Sequence, residues 1–154
     1  MAQPLRSIRT EEIITTSVVP RQGPAYQTYQ ILRFVFTVAP LVAGVDKFFH
    51  ALVNWDQYLA PVITRTLGVS AHSMMLVFGG IEIFVALGVA IRPKVFSPIV
   101  SLWLMGIVIN LLIGGVYYDI ALRDFGLSLC AFALSRLSGM FDQPRTINSI
   151  QRSA

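Results

Sequence analysis

The sequence predicts an all-α fold: an integral membrane four-helix bundle, up-down-up-down, with both termini cytoplasmic. Three observations carry that expectation. Of 154 residues, 55% are hydrophobic and only 13% charged, where soluble domains carry about 25% charged residues. Four apolar stretches, at 31–53, 74–91, 95–118 and 120–137, each approach the roughly 20 residues that cross about 30 Å of hydrocarbon. Finally, the 12 Lys and Arg residues divide unevenly under this topology: Arg6, Arg9, Arg21, Arg33, Arg92, Lys94, Arg136, Arg145 and Arg152 fall on the inner side, and Lys47, Arg65 and Arg123 on the outer. Basic residues near helix ends concentrate in the cytoplasm. A three-helix arrangement would strand the C-terminal arginines on the wrong side.

Taken in order, residues 1–28 form a polar, proline-bearing tail expected to be largely unstructured by itself. No apolar core follows Arg6 and Arg9 before Tyr29, so the first spanning helix is expected to act as the insertion signal. Within the tail, Ile13-Ile14-Thr15-Thr16-Ser17-Val18-Val19 is a β-branched run suited to adding a strand to a partner's sheet edge. The transmembrane domain occupies 29–138. Its outer loop, 54–73, mixes Trp55 and Tyr58 with Asn54, Asp56 and Pro61. That composition predicts one or two short interfacial helices over 54–68, with Ser70 capping the second span. The second and third spans meet almost directly through Arg92-Pro93-Lys94, a tight cytoplasmic hairpin with Pro98 in the first turn of the third span. That third span is the most apolar. The fourth is the least, because Arg123 and Asp124 open it and Arg136 closes it. A polar C-terminal tail follows at 139–154.

Each span carries small or polar residues at helical spacing: Thr37, Pro40, Gly44, Lys47 and Ala51; Gly79, Glu82, Ala86 and Ala90; Trp103, Gly106, Asn110, Gly114 and Tyr117; Asp124, Ser128, Ala131 and Ser135. Small side chains let helices approach closely in lipid, so these stripes are expected to face inward. They would gather Asp46, Lys47, Glu82, Asn110, Arg123 and Asp124 into one polar cluster in the outer half of the bundle. Glu82 stands eight residues beyond Met74, a depth of about 12 Å. An unpaired charge there costs several kcal/mol, so Glu82 should pair, with Lys47 or Arg123. Asp119 and Arg123 are spaced to pair along one helix face. A fixed structural ion-pair network and a functional site both fit this pattern.

Other chemistries lack their residues. The basic residues are scattered and form no nucleic-acid stripe, despite a net charge of +4. His50 and His72 are placed at or beyond the outer surface, so no histidine pair faces the core to hold a haem. No Gly-rich phosphate loop, CxxC, metal-spaced His/Glu pair or nucleophile–base arrangement occurs, and no metal is expected. The single cysteine, Cys130, excludes an internal disulfide and is expected to be a buried, inert thiol near Leu127 and Leu134.

The run from Gly79 to Arg92, with Glu82, Gly88 and a basic end, resembles the second helix of DoxX-like (DoxX/DoxD) bacterial membrane proteins. The run from Asp119 to Leu127 is similar to the start of that family's last helix, and Arg33, Gly44, Lys47 and Phe48 fit its first. The likeness covers about 33–137. It implies a small four-helix protein of the bacterial cytoplasmic (inner) membrane and association with quinone-linked electron transfer, as in the membrane subunits of thiosulfate:quinone oxidoreductase. Three functional expectations follow: an accessory or structural subunit of a larger membrane complex, without metal-ligated or covalent cofactor; a quinone-interacting oxidoreductase subunit using the polar cluster; and a small proton-coupled carrier using Glu82.

Overall fold

A computed structural model describes residues 22–142. Most of both tails, including the β-branched run at 13–19 and Arg6, Arg9, Arg21, Arg145 and Arg152, lie outside the described residues. Within them the fold is all-helical and contains no strand. Five helices occur, α1 (Pro24–Phe49), α2 (Pro61–Leu67), α3 (Ala71–Ile91), α4 (Pro93–Gly114) and α5 (Tyr118–Phe141), with a 3-10 turn at Trp55–Tyr58.

Local chemistry sets these boundaries. Helices α1, α2 and α4 each begin with Pro in the first turn, where its missing N–H is no loss. Ser70 caps α3 by accepting from the Ser73 N–H at 3.1 Å. Gly68 and Gly115 close α2 and α4 with left-handed backbone, φ 65° and 73°. His50 closes α1 in the same conformation, φ 53°, which few non-glycine residues adopt. Arg92 ends α3 and starts α4, so the turn between the two long helices is a single residue. Arg33 reaches across from α1 to donate to the Ala90 carbonyl, one of the acceptors left open at the end of α3.

Several boundaries differ from the sequence expectation. Helix α1 starts at Pro24, inside the supposed tail, and α5 runs on to Phe141. There Tyr29 donates to the Asp142 carboxylate at 2.8 Å, while Tyr26, Tyr29 and Phe141 pack edge to face or tilted, so that end is closed by aromatic contact between α1 and α5. Because α4 begins at Pro93, Pro98 sits in its second turn and not its first.

The long helices pack as two intimate pairs, α1 on α3 and α4 on α5, joined by lesser contacts of α3 with α4 and α1 with α5. Glycine sets the first pair. A methyl group on Gly44 would stand 2.8 Å from the Gly79 carbonyl oxygen, and one on Gly79 would stand 2.7 Å from that of Gly44, so the backbones cross in direct contact. Gly88 similarly makes room for the Phe96 ring. In the second pair Ser101 donates to the Ser128 carbonyl at 2.9 Å and Ser128 donates to that of Ser101 at 3.0 Å. Helix α5 buries Ala121, Asp124, Ser128, Ala131, Leu134, Ser138 and Phe141 at spacings of three and four, a single inward stripe.

Among the described residues, only α3 and α4 are long and apolar enough, by length and composition, to cross a membrane. The sequence expectation gave α1 and α5 the same standing. They carry more charge, Arg33, Asp46 and Lys47 in one and Asp119, Arg123, Asp124 and Arg136 in the other, of which Asp46, Lys47 and Asp124 are buried.

Candidate functional site

Of the six candidate residues, two tie the outer loop to the bundle. Asp46 lies in the last turn of α1, and its carboxylate accepts from the Ala51 N–H at 2.9 Å, the Leu52 N–H at 3.0 Å and the Trp55 indole N–H at 2.7 Å. Those three bonds fold the chain back over the end of α1. Asn110, half-buried on α4, accepts from the Ala60 N–H at 2.9 Å and donates to the Tyr58 carbonyl at 2.7 Å. Its amide thereby replaces the backbone partners that the segment between the 3-10 turn and α2 lacks.

The folded loop positions the remaining charges. Trp55 is laid against Lys47, whose ammonium stands 3.9 Å from the ring centroid. Lys47 is 4% exposed and bonds Glu82 at 2.6 Å, a buried ion pair between α1 and α3. Arg123 was the other expected partner of Glu82, and Asp119 its own expected neighbour. Instead Arg123 meets Asp124 at 3.1 Å, its side chain largely exposed while that of Asp124 is 10% exposed. Asp124 also lies within electrostatic range of Glu82. Two cations thus offset two carboxylates inside an apolar frame.

These four residues line a cavity of about 410 Å³ together with Trp55, Tyr58, Phe78, Trp103, Gly106 and Asn110, and a second hollow of about 240 Å³ shares the four charged residues and both tryptophans. The Trp103 indole N–H is buried and faces the Glu82 carboxylate without reaching a hydrogen bond. The cavity explains a mismatch on α4. Of the expected inward stripe, Trp103 and Asn110 are half-buried and Gly106 exposed because they border this space, Tyr117 lies beyond the helix end, and Ser97, Val100, Val108 and Leu111 make the close contacts. On α1, Ala51 lies beyond the helix end and is exposed; Ser135 on α5 yields its buried place to Leu134 and Ser138. Cys130 is exposed, on the face of α5 opposite the Ser128–Ala131 stripe, which corrects the expectation of a buried thiol.

Sequence spacing missed one grouping. His50 at the end of α1, Asp56 in the 3-10 turn and His72 in the first turn of α3 bring their ligand atoms within 4.8 Å of one another. The histidines lie 22 positions apart, so no short motif could announce them.

No family model, no curated protein and no solved structure matches the chain.

Proposed function

We propose that the chain is a four-span protein of the bacterial inner membrane whose outer-half cavity binds a quinone headgroup, as the quinone-interacting subunit of an electron-transfer assembly. The carrying observation is the chemistry of the cavity. Apolar walls end on Lys47 Nζ, paired with Glu82, and on a buried Trp103 N–H that faces the same carboxylate outside hydrogen-bond geometry. A quinone presents a flat apolar ring and carbonyl oxygens that only accept, which suits those two donors. The volume is in the range of about 300–1,000 Å³ usual for small-molecule sites. A cavity of this kind favours the quinone-binding reading over a purely accessory role.

The membrane reading is supported by an inside-out surface. Phe34, Phe49, Leu102 and Leu122 are 66–76% exposed, while Lys47, Glu82 and Asp124 are 4–9% exposed. In water such an apolar exterior would drive aggregation, whereas hydrocarbon accepts it. Under this reading α1 spans with Lys47 paired to Glu82 of α3 and Arg33 bonded to the Ala90 carbonyl, α5 spans with Arg123 paired to Asp124, and the 3-10 turn and α2 lie in the outer interface.

Gly106 provides the test, since a Cβ added there meets nothing within 4 Å. Gly106→Leu should therefore fill the cavity without disturbing helix packing. Purified wild type in detergent should bind a short-chain ubiquinone or menaquinone analogue with quenching of tryptophan fluorescence. The variant should melt normally and bind at least about tenfold more weakly, the loss that roughly 1.4 kcal/mol represents. Absence of binding by wild type, or unchanged binding by Gly106→Leu, would sink the proposal.

A further inference from the structure

We infer that His50, Asp56 and His72 form a site for one zinc-class divalent transition-metal ion on the outer loop, separate from the cavity residues. Each ligand is held by a different local motif. His50 ends α1 in a left-handed conformation, with its N–H on the Asp46 carbonyl at 2.7 Å. Asp56 is fixed from both sides, its N–H on the Asn54 side chain at 3.1 Å and its carbonyl accepting from the Leu59 N–H at 3.4 Å. His72 is in the first turn of α3, whose start is fixed by the Ser70 cap. Three backbone devices thus aim three donors at one point before any ligand arrives.

The distances separate a metal site from an ordinary ion pair. His72 Nδ1 is 3.4 Å and His50 Nε2 3.9 Å from the Asp56 oxygens, and neither contact is a hydrogen bond. Hydrogen bonds of this type fall at about 2.7–3.2 Å. Two donors on one tetrahedral zinc, each about 2.0–2.1 Å from the ion, stand roughly 3.3 Å apart. Asp56 Oδ1 is buried without a hydrogen-bond partner, which is costly for a carboxylate oxygen and is relieved by a cation. The imidazole rings stack at 5.4 Å and 26°, so torsional adjustment of two partly exposed side chains brings their nitrogens onto a common ion. Two neutral imidazoles and one carboxylate select zinc-class ions over calcium or magnesium, which demand more oxygen donors. Three protein ligands leave a position for water or an external ligand.

Bound metal would cross-link the end of α1, the 3-10 turn and the start of α3, directly beside Trp55. The test uses the full, untagged chain in detergent in a Cys130→Ser background, which removes the one thiol; His50 and His72 are its only histidines. Titration with zinc should show one ion per chain at micromolar concentration and raise the melting temperature. Cobalt should give the visible absorption of a tetrahedral site. His50→Asn, which keeps a residue tolerant of the left-handed conformation, and His72→Gln should melt as wild type without metal and lose zinc affinity by at least roughly 100-fold, since loss of an outer-shell partner alone already costs about 10–100-fold. Failure of wild type to bind zinc, unchanged affinity in both variants, or equal stabilisation by calcium would overturn the assignment.

Discussion

At the residue scale, the Lys47–Glu82 pair has the firmest consequences, because both groups are almost sealed from solvent and joined at 2.6 Å. Removing one partner leaves the other unpaired in a low-dielectric setting, which costs roughly 3–5 kcal/mol. Glu82→Ala is therefore expected to lower the melting temperature in detergent markedly, and Glu82→Gln, which preserves shape and an acceptor for Lys47, to lower it less. If the pair also serves a bound quinone, Gln should fold near normally and still bind the analogue more weakly. Equal stability and binding in both variants would mean that the pair matters to neither. That Glu82 needs a partner was legible from its place in an apolar run. Which partner was not, since Lys47 and Arg123 are both within reach by sequence. The choice is made by the crossing of α1 over α3 at Gly44 and Gly79, a tertiary fact. The role of Asp46 was likewise hidden: a carboxylate next to Lys47 looks like part of a charge cluster, yet it spends its lone pairs on the loop backbone and Trp55.

Among elements, glycines with contrasting surroundings give a matched comparison. Gly44→Ala places a methyl group against the Gly79 carbonyl oxygen and the side chains of Ile83 and Glu82, all within 3.1 Å, so α1 and α3 must separate. Overpacking of this kind costs about 1–3 kcal/mol. Gly106→Ala meets nothing and should gain up to about 1 kcal/mol from helix propensity. Thermal unfolding of the two variants should move in opposite directions; a shift of the same sign would show that the α1–α3 crossing is not tight. All four long helices, the short outer segments and the Ser70 cap could be read in the sequence because apolar runs, proline and capping residues act locally. Helix ends were less legible. The entry of α1 at Pro24 depends on Tyr29 reaching Asp142 on a helix that ends more than a hundred residues later.

For the whole molecule, the proposed four spans place Gln22 and Lys94 on one side and Gln57 and Val116 on the other, all four being exposed positions. Single cysteines there, in a Cys130→Ser background, should react with an impermeant thiol reagent from outside the cell at Gln57 and Val116 only. Labelling of Gln22 from outside would reduce the spans to α3 and α4 with α1 external, and the inside-out surface would need another explanation. The sequence made such a bundle expected through composition and the distribution of basic residues, but the cavity and the histidine–aspartate grouping arise only when distant segments are folded together. The reciprocal Ser101–Ser128 hydrogen bonds add a constraint on motion. They act as an indexing pin. Sliding α5 by one residue also turns it by about 100°, which would take both hydroxyls off their carbonyls at once, so this pair has one height and one angle. Asp124, one turn from Ser128, is consequently delivered to a fixed level beside Glu82. Two uncharged hydroxyls thereby fix the height of one carboxylate against α4, and any breathing of the cavity must come from the α1–α3 pair moving against α4 and α5.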